Sequence, residues 1–118
     1  MAETYSECLF CQIGQRETPA EIVHASDAVV AFRDINPQAP THILIIPKDH
    51  IESAADLTKD HRGLLWDIFE TAAHLAKAEG VAQSGWRLVT NVGPNAGQSV
   101  PHLHFHLLGG RTMRWPPG

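Results

Sequence analysis

Three histidines, His102, His104 and His106, alternate with Leu103, Phe105 and Leu107 near the C-terminal end of the chain. Successive side chains of an extended strand point to opposite faces, so this spacing sends all three imidazoles one way and the apolar side chains the other. Three rings on one face would repel one another if charged, and core packing does not explain them, so the row reads as a site. Two chemistries use such a row. A three-histidine catalytic zinc keeps an open position for water. At about 3.3 Å per residue, however, the Cα atoms of His102 and His106 stand roughly 13 Å apart, near the limit for sharing one ion. Nucleophilic catalysis at phosphorus needs instead a neutral imidazole whose second nitrogen is held as a donor, with cationic neighbours for the phosphoryl oxygens. A histidine row supplies these groups.

A second feature with chemistry is Cys8-Leu9-Phe10-Cys11, a C-x-x-C. A redox pair of this form follows a strand and opens a long helix, whereas here the preceding residues 2–7 are polar. A structural zinc would need two more ligands, and with no third cysteine in the chain histidines must complete the tetrahedron. Two small buried hydrophobes are the remaining alternative. His24, His61 and His74 belong to no motif and are assigned no role.

The elements that must position these groups are short. Residues 21–24 and 28–33 read as strands, 41–46 as a buried strand ending at Pro47, and 34–40 as a loop. Apolar pairs at helical spacing predict one long amphipathic helix over 58–79, with Thr58 able to cap its start and Gly80 its end. Residues 86–92 read as a further strand, 93–99 as a polar loop and 100–108 as the last strand. Neighbouring strands with short turns and a single long helix predict an α+β class, an antiparallel sheet with the helix on one face and the histidines on the open face.

At 118 residues and 13.0 kDa the chain is expected to form a single domain over residues 1–118. Its 43% hydrophobic content can supply a core without a disulfide framework. Nine basic against thirteen acidic residues argue against a nucleic acid polymer as partner. The longest apolar run, Ile43-Leu44-Ile45-Ile46, is far too short to span a membrane, and residues 1–4 lack a basic leader, so a cytoplasmic location is expected. The three arginines beyond residue 84, Arg87, Arg111 and Arg114, have no acidic residue among them, so a small anion could be held there.

Residues 97–111, GQSVPHLHFHLLGGR, are similar to the signature of the histidine triad family, His-φ-His-φ-His-φ-φ. Residues 32–42, FRDINPQAPTH, and the terminal WPPG resemble the Hint-type branch of that family, so the likeness covers nearly the whole chain. It implies a five-stranded antiparallel sheet with one long helix and a short N-terminal helix, forming a ten-stranded sheet in a homodimer.

The resemblance further implies a hydrolase of purine nucleoside 5′-phosphoramidates, and of acyl-adenylates, acting through a nucleotidyl-histidine intermediate with no catalytic cofactor. It makes His104 the nucleophile, His106 a phosphate contact and His42 the upstream histidine that orients the row. Ser99 would donate to the leaving amine, and Asn91 with the backbone around Gly97 and Gln98 would contact phosphate. Asp34 matches an acceptor for the ribose hydroxyls, although it could equally cap a turn. Phe10, Ile13, Phe32 and Ile35, joined by Leu9, match an apolar purine cleft. Trp115 becomes a substrate-facing residue reaching across the dimer. For the cysteine pair, the wider superfamily implies a structural zinc held by Cys8, Cys11, His50 and His102. Two rival readings remain, a dinucleoside polyphosphate hydrolase and a non-catalytic nucleotide- or zinc-binding adaptor.

Overall fold

The computed structural model describes residues 5–118; residues 1–4, on which the absence of a basic leader was read, lie outside them. In chain order the elements are α1 (Leu9–Gly14), β1 (Ile22–Ala25), β2 (Val29–Arg33), β3 (Thr41–Pro47), α2 (Arg62–Ala78), β4 (Trp86–Val89) and β5 (Phe105–Gly109). Single 3-10 turns form at Ala54–Asp56, Lys59–His61 and Pro94–Ala96. The five strands make one sheet in the order β1-β2-β3-β5-β4, antiparallel throughout, which bears out the α+β class and the short N-terminal helix. Among the described residues no helix is long and apolar enough to cross a membrane.

The sheet is covered on both faces. On one, Val29, Ala31, Ile43, Ile45, Leu103, Phe105 and Leu107 pack against Ile68, Ala72 and Leu75 of α2. On the other, Val30, Phe32, Leu44 and Ile46 pack against Phe10 and Ile13 of α1. Central strand β3 is buried at every position, which is why its sequence is a continuous apolar run rather than an alternation. The expectation of an open histidine face is corrected here: α1 covers much of it, and His102 and His104 are 0% and 5% exposed.

Three boundaries also differ from expectation. The last strand begins at Phe105, not at residue 100, because Pro101 has no N–H to give to a ladder and the Leu103 N–H bonds the Ile51 carbonyl instead. Strand β4 stops at Val89, and the Thr90 hydroxyl, rather than a ladder N–H, donates to the His104 carbonyl at 2.8 Å. Helix α2 starts at Arg62, since residues 58–61 form a 3-10 turn. There the Thr58 side chain accepts from the Asp60 N–H while the His61 ring accepts from the Thr58 N–H, a capping box in which histidine takes the place usual for Glu. At the far end Gly80, at φ +75°, lets Val81 N–H bond Ala76 and its own N–H bond Lys77, the two bonds that close a helix through a left-handed residue.

Candidate active site and metal centre

The alternation of the histidine row survives although only His106 lies in the sheet ladder. Leu103, Phe105 and Leu107 enter the α2 side of the core, and the three imidazoles emerge together on the other side. The His104 ring stands 5.1 Å from that of His106 and edge-on to Phe10 at 5.0 Å. Its Nδ1 lies 2.6 Å from the carbonyl oxygen of His102. A carbonyl only accepts, so Nδ1 carries a hydrogen, and in the neutral ring the lone pair lies on Nε2. An unprotonated ring nitrogen with its partner nitrogen held as a donor is what attack on phosphorus requires.

His42 and His106 form a relay on the same face. Register pairs His42 with Leu108 and Leu44 with His106, which makes the two histidines diagonal neighbours across β3 and β5. His42 Nε2 meets His106 Nδ1 at 2.9 Å, and His42 Nδ1 accepts the Gln38 N–H at 2.9 Å. A backbone N–H only donates, so His42 holds its hydrogen on Nε2, gives it to His106 Nδ1, and leaves His106 with an Nε2–H to offer a ligand. Burial, with His104 and His42 beside it, pushes the His106 pKa down to about 4. Burial also lowers that of His42, against the pull of the Asp34 carboxylate. Both rings are therefore neutral near pH 7, as the tautomer chain requires.

Asp34 serves two purposes. One carboxylate oxygen accepts the Asn36 N–H at 2.8 Å and shapes the turn, and the other lies 3.4 Å from His42 Nε2. Asp34, His42 and His106 could also ring a metal ion by distance alone. The tautomers oppose it, because a metal on His42 Nε2 would force a hydrogen onto Nδ1, facing the Gln38 N–H.

In the 93–99 loop, Gly97 takes a left-handed φ of +85°. The N–H groups of Gly97 and Gln98 donate to the carbonyls of Pro94 and Gly93. The Gln98 amide ties the loop down further, accepting from Gly93 N–H and donating to Glu52 and Val100 carbonyls. These two residues thus brace the loop, while Ser99 is exposed and Asn91 half-buried beside it. Of the apolar group, Phe10, Ile13 and Phe32 are buried in the core between α1 and the sheet, whereas Leu9, Ile35 and Trp115 are exposed, Ile35 almost completely at 99%. The C-terminal arginines spend donors on backbone: Arg87 on the Arg114 carbonyl, Arg111 on those of Gln38 and Thr112.

Cys8 at the N-cap of α1, Cys11 within it, His50 in the stretch after β3 and His102 at the start of the histidine row come together. Cys8 Sγ and Cys11 Sγ lie 3.3 and 3.5 Å from His102 Nδ1, and Cys11 Sγ lies 3.3 Å from His50 Nδ1. Bonds of about 2.0 to 2.3 Å put the ligand atoms of a tetrahedral zinc roughly 3.3 to 3.8 Å apart, so the donor set and its spacing fit that ion. The outer contact fits as well: His102 Nε2 donates to the Pro47 carbonyl at 2.9 Å, which turns the lone pair of Nδ1 towards the sulfurs. Burial raises the Cys11 thiol to about 11, so ionising it calls for a cation in the cluster.

The residues that the sequence did not single out, Gln38 and Thr90, act through or upon backbone groups, for which no residue-type signal exists, and Arg111, read there only as part of a possible anion site, likewise binds a backbone carbonyl.

A histidine row beside a Cys/His cluster on a five-stranded antiparallel sheet is the arrangement that the resemblance to the histidine triad family implied. The chain belongs to the histidine triad family: the HIT domain model matches residues 15–113. It is 48% identical to the purine nucleoside phosphoramidase of Escherichia coli strain K12 over 107 residues, 91% of this chain and 90% of that one. It is 49% identical to the 14 kDa zinc-binding protein of Zea mays over 115 residues, 96% of this chain and 89% of the other. Among solved structures, the HIT family hydrolase from Legionella pneumophila Philadelphia 1 superposes with a TM-score of 0.93 at 54% identity, covering 95% of this chain and all of its own. These relatives make the chain a HIT-family hydrolase homologue of the Hint type.

Proposed function

We propose that this protein hydrolyses purine nucleoside 5′-phosphoramidates to the nucleoside monophosphate and a free amine. The observation that carries the reading is the 2.6 Å contact from His104 Nδ1 to the His102 carbonyl, which in the neutral ring puts the attacking lone pair on Nε2. His104 Nε2 attacks the α-phosphorus, the P–N bond breaks, and the amine leaves with a proton delivered through Ser99. The His102 carbonyl steadies the imidazolium created by this bond. His106 Nε2–H donates to a phosphoryl oxygen as charge gathers there, and His42 holds that tautomer from behind. Water then attacks the same phosphorus, the P–Nε2 bond breaks, and the proton that the water loses replaces the one Ser99 delivered, leaving neutral His104 and the free nucleoside monophosphate.

Asp34 accepts from the ribose hydroxyls, and Asn91 contacts the phosphate beside the loop that Gly97 and Gln98 brace. The exposed Leu9 and Ile35 form the lips of the purine cleft over a floor of Phe10, Ile13 and Phe32. Zinc at Cys8, Cys11, His50 and His102 has a structural role, fixing the start of the histidine row; the donor spacing and the zinc-binding relative support it. A homodimer through the β4 edge is supported by Trp66 and Phe69, which are 65% and 50% exposed on α2, with the Phe69 ring 6.1 Å from Phe105 of β5, the strand next to β4.

Mass spectrometry of protein quenched during turnover of adenosine 5′-phosphoramidate tests the mechanism. A nucleotidyl adduct on the peptide holding His104 is the expected result. Turnover undiminished in His104→Gly, or inversion of configuration at phosphorus, eliminates it. Faster turnover of a diadenosine polyphosphate than of the phosphoramidate would favour the rival substrate class.

A further inference from the structure

Residue 38 is gripped from both sides. Its N–H donates to His42 Nδ1 and its carbonyl oxygen accepts from Arg111 Nε, each at 2.9 Å. Next to Arg111, Gly110 lies at φ +90° and so close to the loop that a Cβ on it would stand 2.9 Å from Pro40 Cβ. The chain leaving β5 therefore meets the 34–40 loop at two points, while the Asp34 N–H closes the loop's other end on the His42 carbonyl at 3.0 Å.

The Gln38 N–H on Nδ1 puts the hydrogen of His42 on Nε2, the form that the Asp34 carboxylate 3.4 Å from Nε2 also favours. If the Gln38 N–H moved away, His42 could take the Nδ1–H form, and its bare Nε2 would then face the bare Nδ1 of His106 until that ring switched too. The geometry points to Arg111 as a positioning residue: by holding the Gln38 carbonyl it keeps the Gln38 N–H on His42 and so fixes the tautomers of His42 and His106. Arg111 touches no reacting atom. Its side chain is an exposed surface group, and nothing in the packing of the core depends on it. The kinetic consequence rests on the phosphoramidase reading, in which His106 Nε2–H faces phosphate; the tautomer lock itself does not.

The test uses full-length protein with ¹⁵N-labelled histidine in three forms: parent, Arg111→Met and Arg111→Lys. Two-bond proton–nitrogen correlation spectra read which ring nitrogen is protonated. In the parent, His42 and His106 each show a single Nε2–H form. In Arg111→Met both rings become mixtures, while His104, whose tautomer is set by the His102 carbonyl, does not change. With adenosine 5′-phosphoramidate, kcat of that variant falls about three- to tenfold and KM stays within about twofold, the split expected when a group acting in the transition state is misplaced. Arg111→Lys keeps a donor for the carbonyl and stays near the parent in both measurements. Ring spectra of Arg111→Met identical to the parent overturn the proposal, as does an equal change in Arg111→Lys. A parent without turnover whose ring spectra still respond to Arg111→Met would retire the hydrolase reading and leave the lock standing.

Discussion

His102 holds His104 with its backbone and the Cys/His cluster with its side chain: its carbonyl oxygen lies 2.6 Å from His104 Nδ1, and its own Nδ1 lies 3.3 Å from Cys8 Sγ. One residue thus belongs to both centres, which gives a disturbance of the cluster a direct path to His104.

Metal removal follows from that link. Cys8→Ser is expected to lower bound zinc below one equivalent per chain and reduce the melting temperature, with kcat falling in step as His102 loses its fixed place. Elemental analysis beside calorimetry checks it. Full activity in a folded, metal-depleted protein would show that the cluster braces nothing the reaction needs.

Acid should weaken the fold through His106. Its folded pKa of about 4 lies below the ordinary histidine value near 6.5, so the unfolded chain binds the proton more readily. The stability it contributes is complete above about pH 6.5 and is lost as pH falls through 4. Denaturant melts at pH 7.5 and pH 5 should show a smaller difference for His106→Gln than for the parent, and equal differences would refute the assignment.

Arg33 ties β2 to the end of α2. Its guanidinium grips both carboxylate oxygens of Glu79, at 2.7 and 3.0 Å. That pairing holds the Glu79 carboxyl below its usual range, so its contribution is present above about pH 4.5 and fades as pH drops through the lowered value. Because the pair is partly open to solvent, Glu79→Gln should cost only about 1 kcal/mol at pH 7, and less as pH falls below 4.5, by urea melts.

Trp115 is 82% exposed, as a residue that reaches another surface would be. Deleting residues 113–118 is expected to leave the monomer fold intact, since none of them joins either core cluster, and to change the ratio of kcat/KM values between amine leaving groups. An unchanged ratio would reduce the tail to an anchor.

Much of this arrangement was legible in the residues themselves. The period of two in the histidine row survived even where the ladder did not, because burying Leu103 beneath α2 enforces the alternation. The donor set of Cys8, Cys11, His50 and His102 assembled as the family resemblance implied. What escaped was written in backbone groups and in coverage. Periodicity does not reveal that the Leu103 N–H would choose the Ile51 carbonyl, nor that a helix as short as α1 would close over the histidine face. Phe10 and Phe32 match a cleft on resemblance, yet both are buried in the core, and of that apolar group Leu9 and Ile35 reach solvent.

Strand β3 carries His42 near one end, and at the other the Pro47 carbonyl that receives the His102 ring. It is buried along its whole length and, over residues 43–45, paired along both edges, so the amides there should exchange with solvent only when the whole molecule opens. The two centres then share one cooperative unit: neither can come apart in a local fluctuation that leaves the other whole, and deuterium uptake at the two ends of that strand should rise together.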